Sequence, residues 1–196
     1  FVGLNAPILG QFNLSLTNLG FYSLIVLFLV LGLHIIANNN HKLIPSKWRI
    51  ALESAYASVH AMVRDNVGAA NEVYVPFIYS LFFFIIIANL NGNIPYGFTV
   101  TTSIVVSIGL SVTIFLGVTI LGLQKHGLHF FSYFIPSGTP LALVPLLVLI
   151  ELISYMARAV SLGVRLFANM VAGHTLLKIL STFLAQLFTS SLLVAV

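Results

Sequence analysis

Six polar or charged side chains interrupt an otherwise apolar stretch over residues 141–183, and their types suit proton or ion chemistry. They are Glu151, Arg158, Arg165, Asn169, His174 and Lys178. Near a membrane centre each Arg or Glu costs roughly 2.5 to 3.5 kcal/mol, whereas each Leu, Ile, Val or Phe gains only about 0.3 to 0.6. The stretch can therefore enter a membrane, but its charged groups should not face lipid.

Helical geometry sorts these groups onto two faces. At about 100° per residue, one set of side chains falls within an arc of roughly 80°. This set, the polar stripe, comprises Glu151, Ser154, Arg158, Ser161, Arg165 and Asn169. His174 follows Arg165 by nine residues and points about 180° away from it. The stretch would be roughly 60 Å long as one helix, about twice the hydrocarbon thickness, which predicts a helix steeply tilted or lying along the membrane.

Such a stripe can hold a helical bundle together through buried ion pairs, or it can face a partner. Glu151 is the only acidic residue after Glu72, so it can pair with at most one of Arg158 and Arg165. At least one guanidinium therefore needs an acidic partner from elsewhere, which favours a site on an interface.

Composition defines the class of protein. The chain has 196 residues, of which 59% are hydrophobic and 6% charged, whereas soluble domains have about a quarter charged residues. We predict an all-α polytopic membrane protein with upright transmembrane helices, an interfacial amphipathic helix and the long tilted helix. The net charge of +4 comes from scattered residues, which excludes nucleic-acid binding, and the absence of cysteine excludes disulfides and thiolate metal sites.

Apolar runs and turn signals divide the chain into segments of one membrane domain over 1–196. We predict an outer-side segment over 1–18, a first span over 19–37, an interfacial helix over 46–66, a transmembrane hairpin over 73–123, and over 139–196 the long helix with the start of its partner helix. Basic residues follow the first and third spans, and the turn over 89–97 carries no charge. The positive-inside rule therefore puts the amino terminus outside.

Other polar residues have simpler explanations. Ser103, Ser107 and Ser111 recur every four residues, with Thr113 and Gly117 nearby, a pattern that permits close helix packing and is less typical of an ion path. His126 and His129 are interpreted as solvated loop histidines, and no metal site or cofactor is predicted.

The charged pattern itself resembles a known family. The run Ser161-Leu-Gly-Val-Arg165-Leu-Phe-Ala-Asn169-Met-Val-Ala-Gly173-His174, preceded by Glu151-Leu-Ile-Ser-Tyr-Met-Ala-Arg158, resembles subunit a of F-type ATP synthases, specifically the mitochondrial form, subunit 6. Further matching segments are Lys125-His126-Gly127, Pro136-Ser-Gly-Thr-Pro140 and Asn89-Leu-Asn-Gly-Asn-Ile-Pro95-Tyr96.

The resemblance implies a proton-translocating stator subunit of the membrane (Fo) part, without bond chemistry of its own. In this family a long helix hairpin lies against the c-ring, and two offset half-channels admit protons from opposite sides. The implied partners are the c-ring, peripheral-stalk subunit b and small Fo membrane subunits, in the mitochondrial inner membrane.

The resemblance also implies roles for individual residues. Arg165 would face the ring carboxylates, Glu151 would belong to the matrix-side outlet and His174 to the outer inlet. Asn169 belongs to the same stripe, and Asn89 would line the inlet. Arg158 either acts in transport or pairs with Glu151 or the interface, and these alternatives stay open.

Two other classes compete with this interpretation. A secondary transporter or ion channel could use the buried charges as a midplane binding site, although the chain is small and has no internal repeat. A purely structural membrane subunit would not explain why an arginine, Arg165, occurs within an apolar helix. We also expect the sequence to continue, because residues 183–196 are apolar with Gln186 as the only strongly polar side chain, and a further helix would supply a carboxylate partner for His174.

Overall fold

The computed structural model describes residues 2–8, 12–38, 43–44, 47–68, 73–135 and 137–195. These residues form strands β1 (Val2–Ile8) and β2 (Phe12–Thr17) and helices α1 (Asn18–Asn38), α2 (Lys47–Val67), α3 (Val75–Gly92), α4 (Ile104–His126) and α5 (Val144–Val194). Two 3-10 helices cover Val100–Thr102 and Gly127–Phe134. The chain divides into two compact units, residues 1–100 and residues 101–196.

Four helical segments within the described residues are long and apolar enough to cross a membrane: Asn18–Asn38, Val75–Gly92, Ile104–Phe134 and Val144–Val194. This confirms the predicted all-α polytopic class. The amino-terminal segment adds a short antiparallel hairpin of β1 and β2, in which Ile8 pairs with Phe12. Residue 46 of the predicted interfacial helix and Pro136 of the predicted motif lie outside the described residues.

In the first unit, α2 packs against the start of α3. Val59 and Val63 of α2 are buried together with Val75 of α3. Trp48 and Met62 of α2 are exposed. The neighbouring helix therefore covers only part of the apolar surface of α2.

A histidine near the end of α1 connects this helix to α3. His34 Nδ1 lies 2.8 Å from the Val30 carbonyl oxygen, and Nε2 lies 2.9 Å from the Tyr79 hydroxyl. Since a carbonyl only accepts, Nδ1 donates, and the neutral ring accepts from Tyr79 through Nε2. The His34 ring also packs edge-on against Phe83 at 5.1 Å between centroids. This helix contact uses both nitrogens of the imidazole.

In the second unit, α4 packs closely on α5 through small residues. Ser107 and Ser111 are buried, as the four-residue spacing predicted, whereas Thr113 and Gly117 are exposed. The Ser111 hydroxyl donates a hydrogen bond to the carbonyl of Ala159 on α5. We call Ile108, Ser111, Ala159 and Gly163 the helix seam.

An aromatic cluster extends the helix seam toward the start of α5. The Tyr155 hydroxyl lies 2.7 Å from Thr119 Oγ1. Its ring packs against Phe115 at 4.8 Å and Phe134 at 5.6 Å between centroids. The 3-10 helix over Gly127–Phe134 brings Phe134 back onto α5, so the loop after α4 also helps to hold the long helix.

The long helix is continuous over 51 residues, from Val144 to Val194. This range includes most of the stretch over 141–183 that was predicted as one helix, and the start of a partner helix before residue 196 stays a prediction. The described residues after Gly173 contain neither Gly nor Pro, so nothing in the backbone ends the helix there. One domain over 1–196 stays a prediction.

Candidate functional site

The polar stripe occupies one exposed line of α5. Each member of the stripe is exposed: Glu151, Ser154, Arg158, Ser161, Arg165 and Asn169. Glu151, Arg158 and Arg165 follow one another at intervals of seven residues, which corresponds to about 10.5 Å of helix rise per interval. The structure therefore places these three charges in a row on the surface of one helix.

The arginines of the stripe have no acidic partner among the described residues. The side chains of Glu151, Arg158 and Arg165 make no ion pair or hydrogen bond within the described residues. Glu151 and Arg158 are about two turns, or about 10.5 Å of rise, apart on α5. The alternative that Arg158 pairs with Glu151 is not realised in this structure.

The helix seam determines the direction of the stripe within the second unit. Ala159 and Gly163 are the buried residues of α5. At about 100° per residue, Arg165 points about 120° away from Ala159 and about 160° away from Gly163. The residues that hold α5 on α4 are thus on one side of the helix, and Arg165 is on the other.

The other predicted site residues lie apart from this line. His174 is half-buried on α5, about 180° around the helix from Arg165, and Lys178 is exposed. Asn89 is half-buried on α3, in the first unit. The structure therefore brings Glu151, Arg158, Arg165 and Asn169 onto one face, and leaves His174, Lys178 and Asn89 on other surfaces.

One polar residue was missed by sequence reasoning. Asn91 belongs to the predicted turn over 89–97, but it lies in the last turn of α3, where its Nδ2 is buried and has no hydrogen-bond partner among the described residues. A buried unsatisfied donor costs about 1 to 3 kcal/mol, so such groups are usually bonded to protein or water. In the sequence, the position of Asn91 two residues after Asn89, at the end of an apolar run, could have indicated a polar side chain within the helix.

The site defines a class of protein: a helical membrane subunit that presents unpaired positive charge on the face opposite its own packing surface. No group of three His, Cys, Asp or Glu side chains within the described ranges is suited to hold a metal ion. The guanidinium groups of the polar stripe can attract an anionic group of a partner.

Comparison with known proteins identifies the family. Residues 20–196 match the family model described as ATP synthase A chain. The chain is 69% identical over 195 residues to ATP synthase subunit a of Mycosarcoma maydis, covering 100% of this chain and 77% of that protein. It is 52% identical over 191 residues to subunit a of Emericella nidulans (97% and 74% covered) and 47% identical over 193 residues to that of Kluyveromyces lactis (98% and 75%). The chain belongs to the ATP synthase subunit a family.

This membership confirms the resemblance that the charged motifs indicated. The chain is a non-catalytic Fo membrane subunit of the two-sector ATP synthase and takes part in proton transport for ATP synthesis. The c-ring and other Fo subunits are its implied partners, and the protein is a multi-pass membrane protein. A secondary transporter, the alternative from sequence, is not the class to which the chain belongs.

Proposed function

We propose that the polar stripe faces the c-ring and separates two offset proton half-channels, with Arg165 as the essential arginine between them. One observation carries this proposal: Arg165 is exposed, has no ion pair within the described residues, and points away from the helix seam. A guanidinium exposed at membrane depth is expensive unless an anionic partner or water meets it. A ring of carboxylates supplies such a partner.

The permanent charge of Arg165 explains how the site would work. A guanidinium stays protonated at any physiological pH. At about 4 Å from a ring carboxylate, it would contribute about 4 kcal/mol at an effective dielectric of 20. This attraction favours the deprotonated form of the carboxyl group. The carboxyl group would release its proton on reaching Arg165, and the fixed charge would block direct proton leakage between the half-channels.

Positions along α5 support separate access paths. Glu151 precedes Arg165 by 14 residues, and His174 follows it by nine; these intervals correspond to about 21 Å and about 13.5 Å of helix rise. The two titratable groups are thus about 35 Å apart along α5, far enough to belong to two separate access paths. We assign Glu151 to the matrix-side outlet and His174 to the outer inlet.

Three further residues complete the proposed path. Asn169 lies one turn after Arg165 on the same face, where its amide can bond to the ring carboxylate or to water. Arg158 lies two turns before Arg165 and carries a second positive charge along the same line. Asn89 lines the inlet, and the buried unpaired amide of Asn91 nearby on α3 supports a hydrated environment there.

The protein has a defined orientation in the mitochondrial inner membrane under this proposal. The basic residues after the first and third spans favour an amino terminus on the intermembrane-space side. The fungal relatives support the mitochondrial inner membrane, and the implied contacts there are with subunit b of the peripheral stalk and small Fo subunits.

Substitution of Arg165 tests the central role. We expect Arg165→Lys and Arg165→Ala to abolish ATP synthesis in energised inner-membrane vesicles while the complex still assembles, because a lysine can lose its proton and an alanine has no charge. Arg165→Ala should also leak protons once the soluble ATPase is removed. Arg64→Lys, an exposed arginine of α2, is the matched control and should retain synthesis. Near-normal coupled synthesis in Arg165→Ala would refute the role.

Thiol accessibility tests the two half-channels. The sequence contains no cysteine, so Glu151→Cys and His174→Cys each introduce one thiol into this subunit. We expect membrane-impermeant maleimide to reach the two thiols from opposite sides of the vesicle. Leu149→Cys, on an exposed apolar part of α5, should stay unlabelled. Labelling of both site positions from one side would contradict separate paths.

A further inference from the structure

The first unit contains a cavity of about 350 Å³ between the end of α1 and the start of α2, separate from the residues of the polar stripe. Its polar lining comes from His34, Asn38, Arg49, Glu53 and Tyr56. We propose that this cavity holds the headgroup of a phospholipid with a primary ammonium group, namely phosphatidylethanolamine. Specific ligand pockets begin at about 300 Å³, so the cavity is large enough for a headgroup.

The cavity lies where lipid headgroups lie. α1 is apolar over the length of a membrane span and ends at Asn38, and α2 begins at Lys47 as a charged amphipathic helix. Trp48, at the start of α2, is 66% exposed, and tryptophan is enriched at the membrane–water interface. The cavity between these two helix ends is therefore at the level of phosphate and amine groups.

The charges of the lining match a zwitterion. Arg49 Nε and Glu53 Oε1 are 3.4 Å apart, one helical turn from each other, and the two side chains remain 34% and 62% exposed. The guanidinium can bind the lipid phosphate, and the carboxylate can accept from the ammonium group. Tyr56 lines the same cavity, and an aromatic ring can attract an ammonium group through a cation–π contact.

The same lining discriminates between headgroups. A choline group has no N–H to donate to Glu53 and is bound through a cage of several aromatic rings, whereas Tyr56 is the one aromatic ring apart from His34 in this lining. An anionic headgroup without an amine brings no donor to the carboxylate of Glu53 and is repelled by it. The ethanolamine headgroup offers its phosphate to Arg49 and its ammonium group to Glu53.

His34 and two exposed leucines of α1 complete the proposed lipid site. Both ring nitrogens of His34 are hydrogen-bonded, to Val30 and to Tyr79. The imidazole therefore lines the cavity without binding the headgroup. Leu27 and Leu31 lie seven residues before His34 and Asn38 on the same faces of α1, and they are 47% and 51% exposed. They form an apolar track on which an acyl chain can extend into the membrane from the cavity.

The test uses the intact ATP synthase in vesicles of defined composition. One set contains phosphatidylethanolamine with a photoactivatable acyl chain in a phosphatidylcholine background, and the other contains the matching phosphatidylcholine probe. After illumination, lipid adducts on the peptides over residues 27–56 are quantified by mass spectrometry. We expect several-fold more adducts from the ethanolamine probe, and Glu53→Gln should remove this preference.

Asp65→Asn is the matched control, because Asp65 is an exposed acid of α2 outside the cavity. Complexes are compared only after native gels show equal assembly, and Arg49→Gln provides a second variant, which should reduce adducts from both probes several-fold. Equal labelling by the two probes, or an ethanolamine preference that survives Glu53→Gln, overturns the proposal. Absence of adducts on these peptides, as expected if another subunit covers the cavity, overturns it as well.

Discussion

A leucine at Gly163 should separate α4 from α5. A Cβ at Gly163 would lie 3.1 Å from Ser111 Cβ and 3.2 Å from Ile108 Cα, so the contact includes backbone that cannot rotate away. Overpacking of this kind costs about 1 to 3 kcal/mol for inserted methylenes. Replacing a helical glycine by leucine or alanine also gains about 0.8 to 1 kcal/mol of helix propensity. We therefore expect Gly163→Ala to be nearly neutral and Gly163→Leu to be clearly destabilising.

The assay is thermal release of this subunit from the purified complex, followed on native gels. For a chain of this size, 1 kcal/mol corresponds to roughly 2 to 4 °C in the midpoint, so Gly163→Leu should lower it by several degrees. Gly117→Leu is the matched control on α4, because a Cβ there has nothing within 4 Å. If the Gly163→Leu and Gly117→Leu subunits are released at the same temperature, α4 and α5 do not pack closely at the helix seam.

Three substitutions that each remove one hydrogen bond should lower the midpoint of thermal release by less than Gly163→Leu does. Ser111→Ala should lower the midpoint by about 1 to 6 °C, since it removes one hydrogen bond with a net contribution of roughly 0.5 to 1.5 kcal/mol. An unchanged midpoint would mean that this bond contributes nothing. Tyr155→Phe should have a similar effect and no more, because Thr119 keeps its bond to the Phe115 carbonyl at 2.8 Å. Tyr79→Phe should destabilise more than Tyr155→Phe, as it leaves the part-buried Nε2 of the imidazole partner unsatisfied, and the reverse order would contradict this account.

Local patterns in the sequence predicted the helices closely. The first span was predicted over 19–37 and is the helix Asn18–Asn38; the interfacial helix was predicted over 46–66 and is Lys47–Val67. Apolar length and helical period are properties of neighbouring residues, so they can be read without knowledge of the fold.

Contacts between distant segments could not be predicted in the same way. Ser111 bonds to a carbonyl 48 residues later, and His34 to a hydroxyl 45 residues later. The four-residue spacing indicated that Ser107 and Ser111 suit close packing, but it applied equally to Gly117, which is exposed. Spacing describes one helix surface, whereas burial depends on which surface a second helix covers.

The polar stripe illustrates both contributions. The sequence alone determined that Glu151, Arg158 and Arg165 share a face and that His174 is opposite, because the angle between residues of one helix follows from their separation. The rotation of that helix about its axis is not a local property. Only the tertiary structure decided it, through the contact of Gly163 with α4, which directs Arg165 away from its own unit.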